Sequence, residues 1–420
     1  MTLGKTIALA MGMAMLALLS EGALHAGEPS GWRMRDSVGQ PAAVSATSLR
    51  GNASVNIGGE VRVDYQFVNA RSRGDDGKTS TKIGDLSVKH ANLRVVADAH
   101  PNIRAVFKLN LSADSEPSRD RDEIMEEAML VMRSVGGTGL GVFAGKGRAP
   151  YGQDVTLGML QSYHHSANHI DSAEGRVFIV TPPDEVNPNN PSVLPLGPMR
   201  PGQFDRTFMA GASYEWNERW KVEAAMFKPN RFEYRERLRD GENTRSGSEI
   251  GGAARVWWRP FEDLTFAFSA IAARSGDMAR TYRRLDVPAG ARGEKNAYAV
   301  SVGFDWRRGP WRAFGEYQHG WDWNFTKDYD TDSWQVGAAR EFADAWRIGG
   351  MVEGLRIDNP SNRHTVDNYY KLAFNIRYAF TANLFVIAEY GHEWFRRDRE
   401  GRLADKRRGD FFGMRLGFSF

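Results

Sequence analysis

Ser54-Val55-Asn56-Ile57-Gly58-Gly59-Glu60-Val61-Arg62-Val63-Asp64-Tyr65-Gln66-Phe67-Val68-Asn69 decides the fold. Val55, Ile57, Gly59, Val61, Val63, Tyr65 and Phe67 fall on one side of the chain. Asn56, Gly58, Glu60, Arg62, Asp64 and Gln66 fall on the other. Strict period two is the signature of a strand with one apolar and one polar face. In a membrane barrel the apolar face meets lipid and the polar face meets water.

The pattern returns along the chain. Ala91–Ala97 and Ile103–Leu111 form one pair of alternating runs, and Ala128–Met132 with Leu140–Ala144 a second. Phe208–Trp216 leads to Trp220–Met226, Gly252–Trp258 to Leu264–Ala270, and Tyr298–Trp306 to Trp311–Tyr317. Trp334–Ala338 leads to Trp346–Val352, and Tyr370–Tyr378 to Leu384–Tyr390, before a last run from Phe412 to Phe420. About 16 strands result, an even number being expected for bacterial barrels. Connections after the even strands read as short and those after the odd strands as long. That matches short periplasmic turns and long outside loops, with both termini in the periplasm. Trp216, Trp220, Trp258, Trp306, Trp311, Trp346 and Tyr378 stand at strand ends, as an interfacial girdle requires. The expected fold is all-β, a 16-stranded antiparallel transmembrane barrel over residues 54–420. A soluble propeller or sandwich would alternate too, with no need for lipid-facing Trp at its turns.

Composition agrees. The 420 residues include 44 Gly, 12 Trp, 13 Tyr and 23 Phe, with no Cys. Mean hydropathy is −0.49, which suits a chain in which only alternate strand residues meet lipid. Without Cys there are neither disulfides nor thiolate metal sites. The net charge of +3 does not point to nucleic acid. Residues 1–26 have the parts of a secretory signal: Lys5, an apolar run over Ile7–Leu19 and a small-residue site at Ala23–Ala26. The run is short for a bilayer span. Residues 27–53 read as a flexible periplasmic lead-in.

The regular pattern breaks once. After Gly139–Gly147, Arg148-Ala149-Pro150 ends the strand, since Pro donates nothing to a ladder and restricts the residue before it. No alternation follows until Phe204, so residues 148–203 are expected to be one long constriction loop.

Several segments resemble one family, the phosphate- and pyrophosphate-selective porins of Gram-negative outer membranes (the O and P porins). DLSVKHANLRVVADAHPNIRAVFKLNLS at 85–112 is similar to that family's second hairpin, and VFAGKGRAPYGQD at 142–154 to its turn into the third external loop. FDRTFMAGASYEW at 204–216, GGAARVWWRPFEDLTF at 251–266 and the terminal Phe420 also fit. The resemblance implies a homotrimer of 16-stranded barrels whose third loop folds inward and narrows the pore. It implies anionic solutes such as phosphate. Of the chain's basic residues, Lys146 and Arg148 lie inside the matched turn.

Sixteen strands enclose an aqueous channel, so passive diffusion of small solutes is the expected function. On the polar parity stand Arg62, Arg94, Arg104, Lys108, Lys221, Arg255, Arg312, Lys371, Arg377 and Arg415, against Glu60, Asp64, Glu215, Glu223, Asp305, Glu316, Glu353 and Glu389. Rings of cations favour anions, while pairing across strands would merely stiffen the wall. Lys146 and Arg148 have the same two readings, as anion ligands at the constriction or as partners of Asp154 at the loop base. His165 and His169, at i, i+4 beside His164 with Asp171 near, are a weak metal site and otherwise polar loop. Arg396–Asp410 reads as an external loop facing lipopolysaccharide phosphates or only solvent. No cofactor and no catalytic residue are assigned. His90, His319 and His392 lack a recognisable Ser motif, so an enzymatic barrel is not expected. A general or cation-selective porin and a purely structural or adhesive barrel are the alternatives.

Overall fold

In a computed structural model, the protein is described at residues 44–47, 54–74, 77–100, 102–111, 125–153, 207–228, 250–274, 296–322, 330–343, 345–359 and 365–420. Every regular element among them is a strand. These are β1 (Val44–Thr47), β2 (Ser54–Gly74), β3 (Gly77–His100), β4 (Ile103–Asn110), β5 (Met125–Met132), β6 (Leu140–Gly147), β7 (Thr207–Asn217), β8 (Trp220–Lys228) and β9 (Ile250–Phe261). They continue as β10 (Leu264–Arg274), β11 (Asn296–Arg308), β12 (Trp311–Trp321), β13 (Asp330–Phe342), β14 (Trp346–Asn359), β15 (Thr365–Ala379), β16 (Leu384–Arg399) and β17 (Arg402–Ser419).

Each strand from β2 to β17 pairs antiparallel with the next, and β17 pairs back onto β2, closing a 16-stranded ring. Closure pairs the first strand of the ring with the last, the condition for crossing a bilayer with strands. The seam is tied by Phe420, whose N–H donates to the Gly59 carbonyl at 3.0 Å and whose carbonyl accepts from Gly59 N–H at 2.9 Å. The Phe420 ring lies over Gly59, where an added Cβ would come within 2.5 Å of it.

The alternation expected from the sequence is the one observed. Val55, Ile57, Val61, Tyr65 and Phe67 on β2, and Phe412, Met414, Leu416 and Phe418 on β17, are exposed outward. Between them Glu60, Arg62, Asp64 and Arg415 are buried on the inner face. Aromatics gather where strands meet the short turns. Trp220 stacks on Trp258 at 5.6 Å and Trp346 meets Tyr378 at 4.5 Å. Side chains shape those turns: Asn217 Oδ1 accepts from the N–H of Arg219 and Trp220 at 2.8 and 3.0 Å, and Thr381 Oγ1 from those of Asn383 and Leu384 at 3.1 and 3.0 Å.

Three expectations need correction. The lead-in over 27–53 contains a strand: Val44–Thr47 pairs with Ser54–Ile57 of β2, on the edge that β17 leaves vacant below Glu60. The first and last outside connections are not long loops. β2 and β3 are joined through residues 75–76, and β16 and β17 through Glu400 and Gly401, both with positive φ. Most of Arg396–Asp410 is therefore a strand extension of the wall. Arg397 donates to both oxygens of Asp367 at 2.8 and 2.7 Å. Residues 1–26 lie outside the described residues.

Candidate functional site

The chain leaves β6 and crosses the inside of the barrel. Gly145 has φ +137°, and a Cβ there would meet the Ala128 carbonyl oxygen at 2.0 Å, so only glycine passes. Ala149, Pro150, Gly152 and Gln153 are buried, and Tyr151 is half-buried. Gly152 N–H donates to Ser269 Oγ at 2.8 Å, and Gln153 N–H to Glu316 Oε1 at 2.7 Å. Arg255 Nη1 donates to the Gly152 carbonyl at 3.0 Å, and the Tyr151 hydroxyl to the Val300 carbonyl at 3.3 Å. The acceptors and donors sit on β9, β10, β11 and β12, several strands round the ring from β6. The described start of the long loop, residues 149–153, therefore folds into the lumen. Residues 154–203 lie outside the described residues, and with them Asp154, His164, His165, His169 and Asp171.

A buried network receives the loop. Glu316 Oε1 also accepts from Ser301 Oγ at 2.6 Å and Gln318 Nε2 at 2.7 Å. Beside it Ala149 packs into an inner apolar cluster with Phe227, Ile271, Leu355, Ile357, Tyr369 and Phe395, with Tyr151 against it. One side of the wall at this level is thus apolar, which the alternation alone did not reveal.

Of the two cations of the matched turn, Lys146 is set away from the lumen by the parity of its strand. Lys146 takes the outward parity of β6 with Val142 and Ala144, opposite Ala128 and Phe208, and Phe208 is 67% exposed. The strand keeps its period through Gly145, so Gly145 and Gly147 face inward and the charges between them do not. Arg148 is exposed, one residue past the strand end.

The wall cations do face inward, most of them against an acid. Arg62 Nη2 donates to Glu60 Oε2 at 2.6 Å, and Arg104 donates to both Asp98 oxygens at 2.7 and 3.0 Å. Arg415 holds Asp64 through two bonds at 2.7 and 2.6 Å. Arg255 and Lys221 share Glu223 at 2.7 and 3.2 Å, and Trp257 Nε1 donates to the same carboxylate at 2.9 Å. Arg312 meets Asp305 at 3.0 Å. Lys371 is fully buried, 3.7 Å from Glu353 and 4.0 Å from Glu389, with its ammonium over the Phe411 ring. Arg377 lies over Phe385 at 4.7 Å.

Register also sets like charges face to face. Arg94 stands directly opposite Lys108, Arg307 opposite Arg312, and Arg347 opposite Arg377. No two acids oppose each other on the inner face in this way among the described residues. Directly opposed like charges destabilise a sheet. Two of the three pairs, Arg307 with Arg312 and Arg347 with Arg377, stand near the short-turn mouth, and Glu341 faces Arg347 from β13. Arg347 and Arg307 were missed from sequence. Alternation put them on the inner face, and only cross-strand register brings them onto their partners.

No family model matches the sequence, and no curated protein does. Solved structures match its fold. The outer membrane channel DcaP of Acinetobacter baumannii aligns with a TM-score of 0.57 at 12% identity, covering 89% of this chain and 99% of its own. The anion-selective porin from Comamonas acidovorans gives 0.53 at 13%, covering 87% and 100%. A trimer form of in-vitro folded OmpT, an outer membrane protein of Vibrio cholerae, gives 0.54 at 14%, covering 88% and 99%. At these identities the likeness is one of fold, that of the outer-membrane barrel.

Proposed function

We propose that this chain is a porin: a barrel integral to a bacterial outer membrane, exported by its N-terminal signal, through which small solutes diffuse passively. Anions are preferred, phosphate among them, no chemistry is done on them, and the working unit is a homotrimer. The observation that carries the anion preference is Arg347 directly opposite Arg377 on the inner face, with Arg94 opposite Lys108; Arg307 and Arg312 already share Asp305 at 3.0 Å each. Like charges held face to face raise the local positive potential and favour a mobile anion between them. The inward loop start at Gly152 and Gln153 occupies part of the bore farther from the short-turn mouth. An arginine fork also suits the paired oxygens of phosphate or carboxylate.

Planar-bilayer recording tests this reading. Arg347→Gln with Arg377→Gln should shift the reversal potential under a salt gradient toward cations and weaken block of chloride current by phosphate. Lys146→Gln should leave both unchanged, since Lys146 is on the outward parity of β6. Unaltered selectivity in the first variant, with conductance intact, would remove the anion assignment. An absence of conductance in the wild-type barrel would remove the porin.

A further inference from the structure

One four-residue arrangement occurs twice on the outer face. Tyr317-Gln318-His319-Gly320-Trp321 lies on β12 and Tyr390-Gly391-His392-Glu393-Trp394 on β16. In both, the even-spaced partners Gln318 and Glu393 are buried inward, so Tyr, His and Trp take the outward parity. Opposite each His on the next strand stands an aspartate, Asp332 on β13 and Asp410 on β17. The Tyr317 hydroxyl donates to Asp332 Oδ1 at 2.6 Å and His319 Nδ1 meets the same oxygen at 2.7 Å. Tyr390 and His392 repeat both contacts on Asp410 Oδ1 at 2.6 and 2.7 Å. Each His ring meets its Trp edge-on, at 4.2 Å for Trp321 and 4.3 Å for Trp394.

Neither a belt nor a buried core needs this. Tyr and Trp alone make an interfacial girdle. A carboxylate on the lipid face of a barrel is costly away from the interface, yet both aspartates are kept there, with side chains 23% and 46% exposed. Both arrangements lie toward the long-loop ends of their strands. Aromatic faces beside a carboxylate, an imidazole and a hydroxyl match a hydroxyl-rich ring: the rings take its C–H faces and the polar atoms its hydroxyls. Cations stand next to the arrangement on β16 and β17. Arg408 is opposite Trp394 and Lys406 opposite Arg396, all on the outward parity and exposed. Beside the other, Arg356 is opposite Asp332 and meets Asp358 at 3.8 Å, with Asp330 opposite Asp358 on the same face, so the cationic flank is confined to β16 and β17. There, sugar-binding groups beside exposed cations complement a phosphorylated saccharide.

We propose that these two arrangements are binding sites for the sugar headgroup of an outer-leaflet glycolipid, with His319 and Asp332, and His392 and Asp410, contacting the sugar, and with Lys406 and Arg408 taking its phosphate at the second. The proposal rests on the outer-membrane placement above and not on the channel's selectivity.

Bacterial lipopolysaccharide is the probe. The full-length barrel, refolded in phospholipid vesicles with and without lipopolysaccharide, is extracted in mild detergent, and bound glycolipid is counted by native mass spectrometry. Wild type should retain it. His319→Gln with His392→Gln should retain about tenfold less, the order expected for losing one hydrogen bond at each site. Lys406→Gln with Arg408→Gln should lower retention at the second site alone. Conductance and heat-modifiable migration should match wild type, since none of these side chains faces the lumen. Should the His pair fail to fold, Tyr317→Phe with Tyr390→Phe is read in its place. Retention unchanged in a folded variant, no retention by wild type, or a changed oligomeric state with retention intact would each overturn the proposal. A barrel that binds the glycolipid but conducts nothing would refute the porin and leave this site standing.

Discussion

Breaking Arg415 away from Asp64 tests the closing seam. The pair joins the last barrel strand to the first across 351 residues of sequence, through two hydrogen bonds at 2.7 and 2.6 Å. The side chains are 5% and 1% exposed, so the pair is dry although it lines the inner face. Removing one partner of such a pair leaves an uncompensated charge and costs about 3–5 kcal/mol. Arg415→Gln should lower the unfolding free energy by that amount. Adding Asp64→Asn removes the orphaned charge, and the double variant should lose only about 1–2 kcal/mol, the net worth of the two bonds. The neighbouring Arg62–Glu60 pair is untouched in both, so the difference between the variants isolates the seam charge. The assay is urea unfolding of barrels refolded in phospholipid vesicles, read by tryptophan fluorescence, with an unchanged m-value as the control. A loss below about 1 kcal/mol in the single variant would match a solvated surface pair and refute the dry seam. A double variant no more stable than the single would refute the orphaned-charge reasoning.

Deleting Phe420 removes both backbone hydrogen bonds to Gly59 and the ring that covers it. Outer-membrane yield should fall sharply while secretion continues, as quantified by fractionation; normal insertion would show that the seam closes without it. Glu316→Ala removes the acceptor shared by Gln153, Ser301 and Gln318, and should raise single-channel conductance and expose the loop to protease. Unchanged values for both would mean that the loop is held by its apolar contacts to Phe227 and Ile271 instead.

The strands were legible because the bilayer imposes a rule at every second residue, and Val55, Ile57 and Val61 obey it as Phe412, Met414 and Leu416 do. The inner cations were legible for the same reason: Arg62, Arg104, Arg255, Arg312 and Lys371 all lie on the face that their parity gave them. Lys146 was misplaced because a motif was allowed to outweigh parity. Its neighbours Gly145 and Gly147 took the inward positions. Arg396–Asp410 was read as a loop because a run of charges resembles solvent-facing coil. A hairpin can carry charges as well, some paired across the ladder as Arg397 is with Asp367 and others exposed on its outer face as Lys406 and Arg408 are.

By itself the sequence determined the all-β class, the number of strands that cross and the face each residue presents, since these follow from local periodicity against lipid. Tertiary structure alone decided which strands became neighbours at which register. From that register come the opposed pairs Arg347 with Arg377 and Arg307 with Arg312. It also brings Asp332 to His319 and Asp410 to His392, and the path of Gly152 and Gln153 across the lumen to Ser269 and Glu316 shows only in the closed ring. The physical reason is that a strand's two faces are encoded along one chain. Which charge meets which across a ladder depends on closure, and closure is a property of the whole ring.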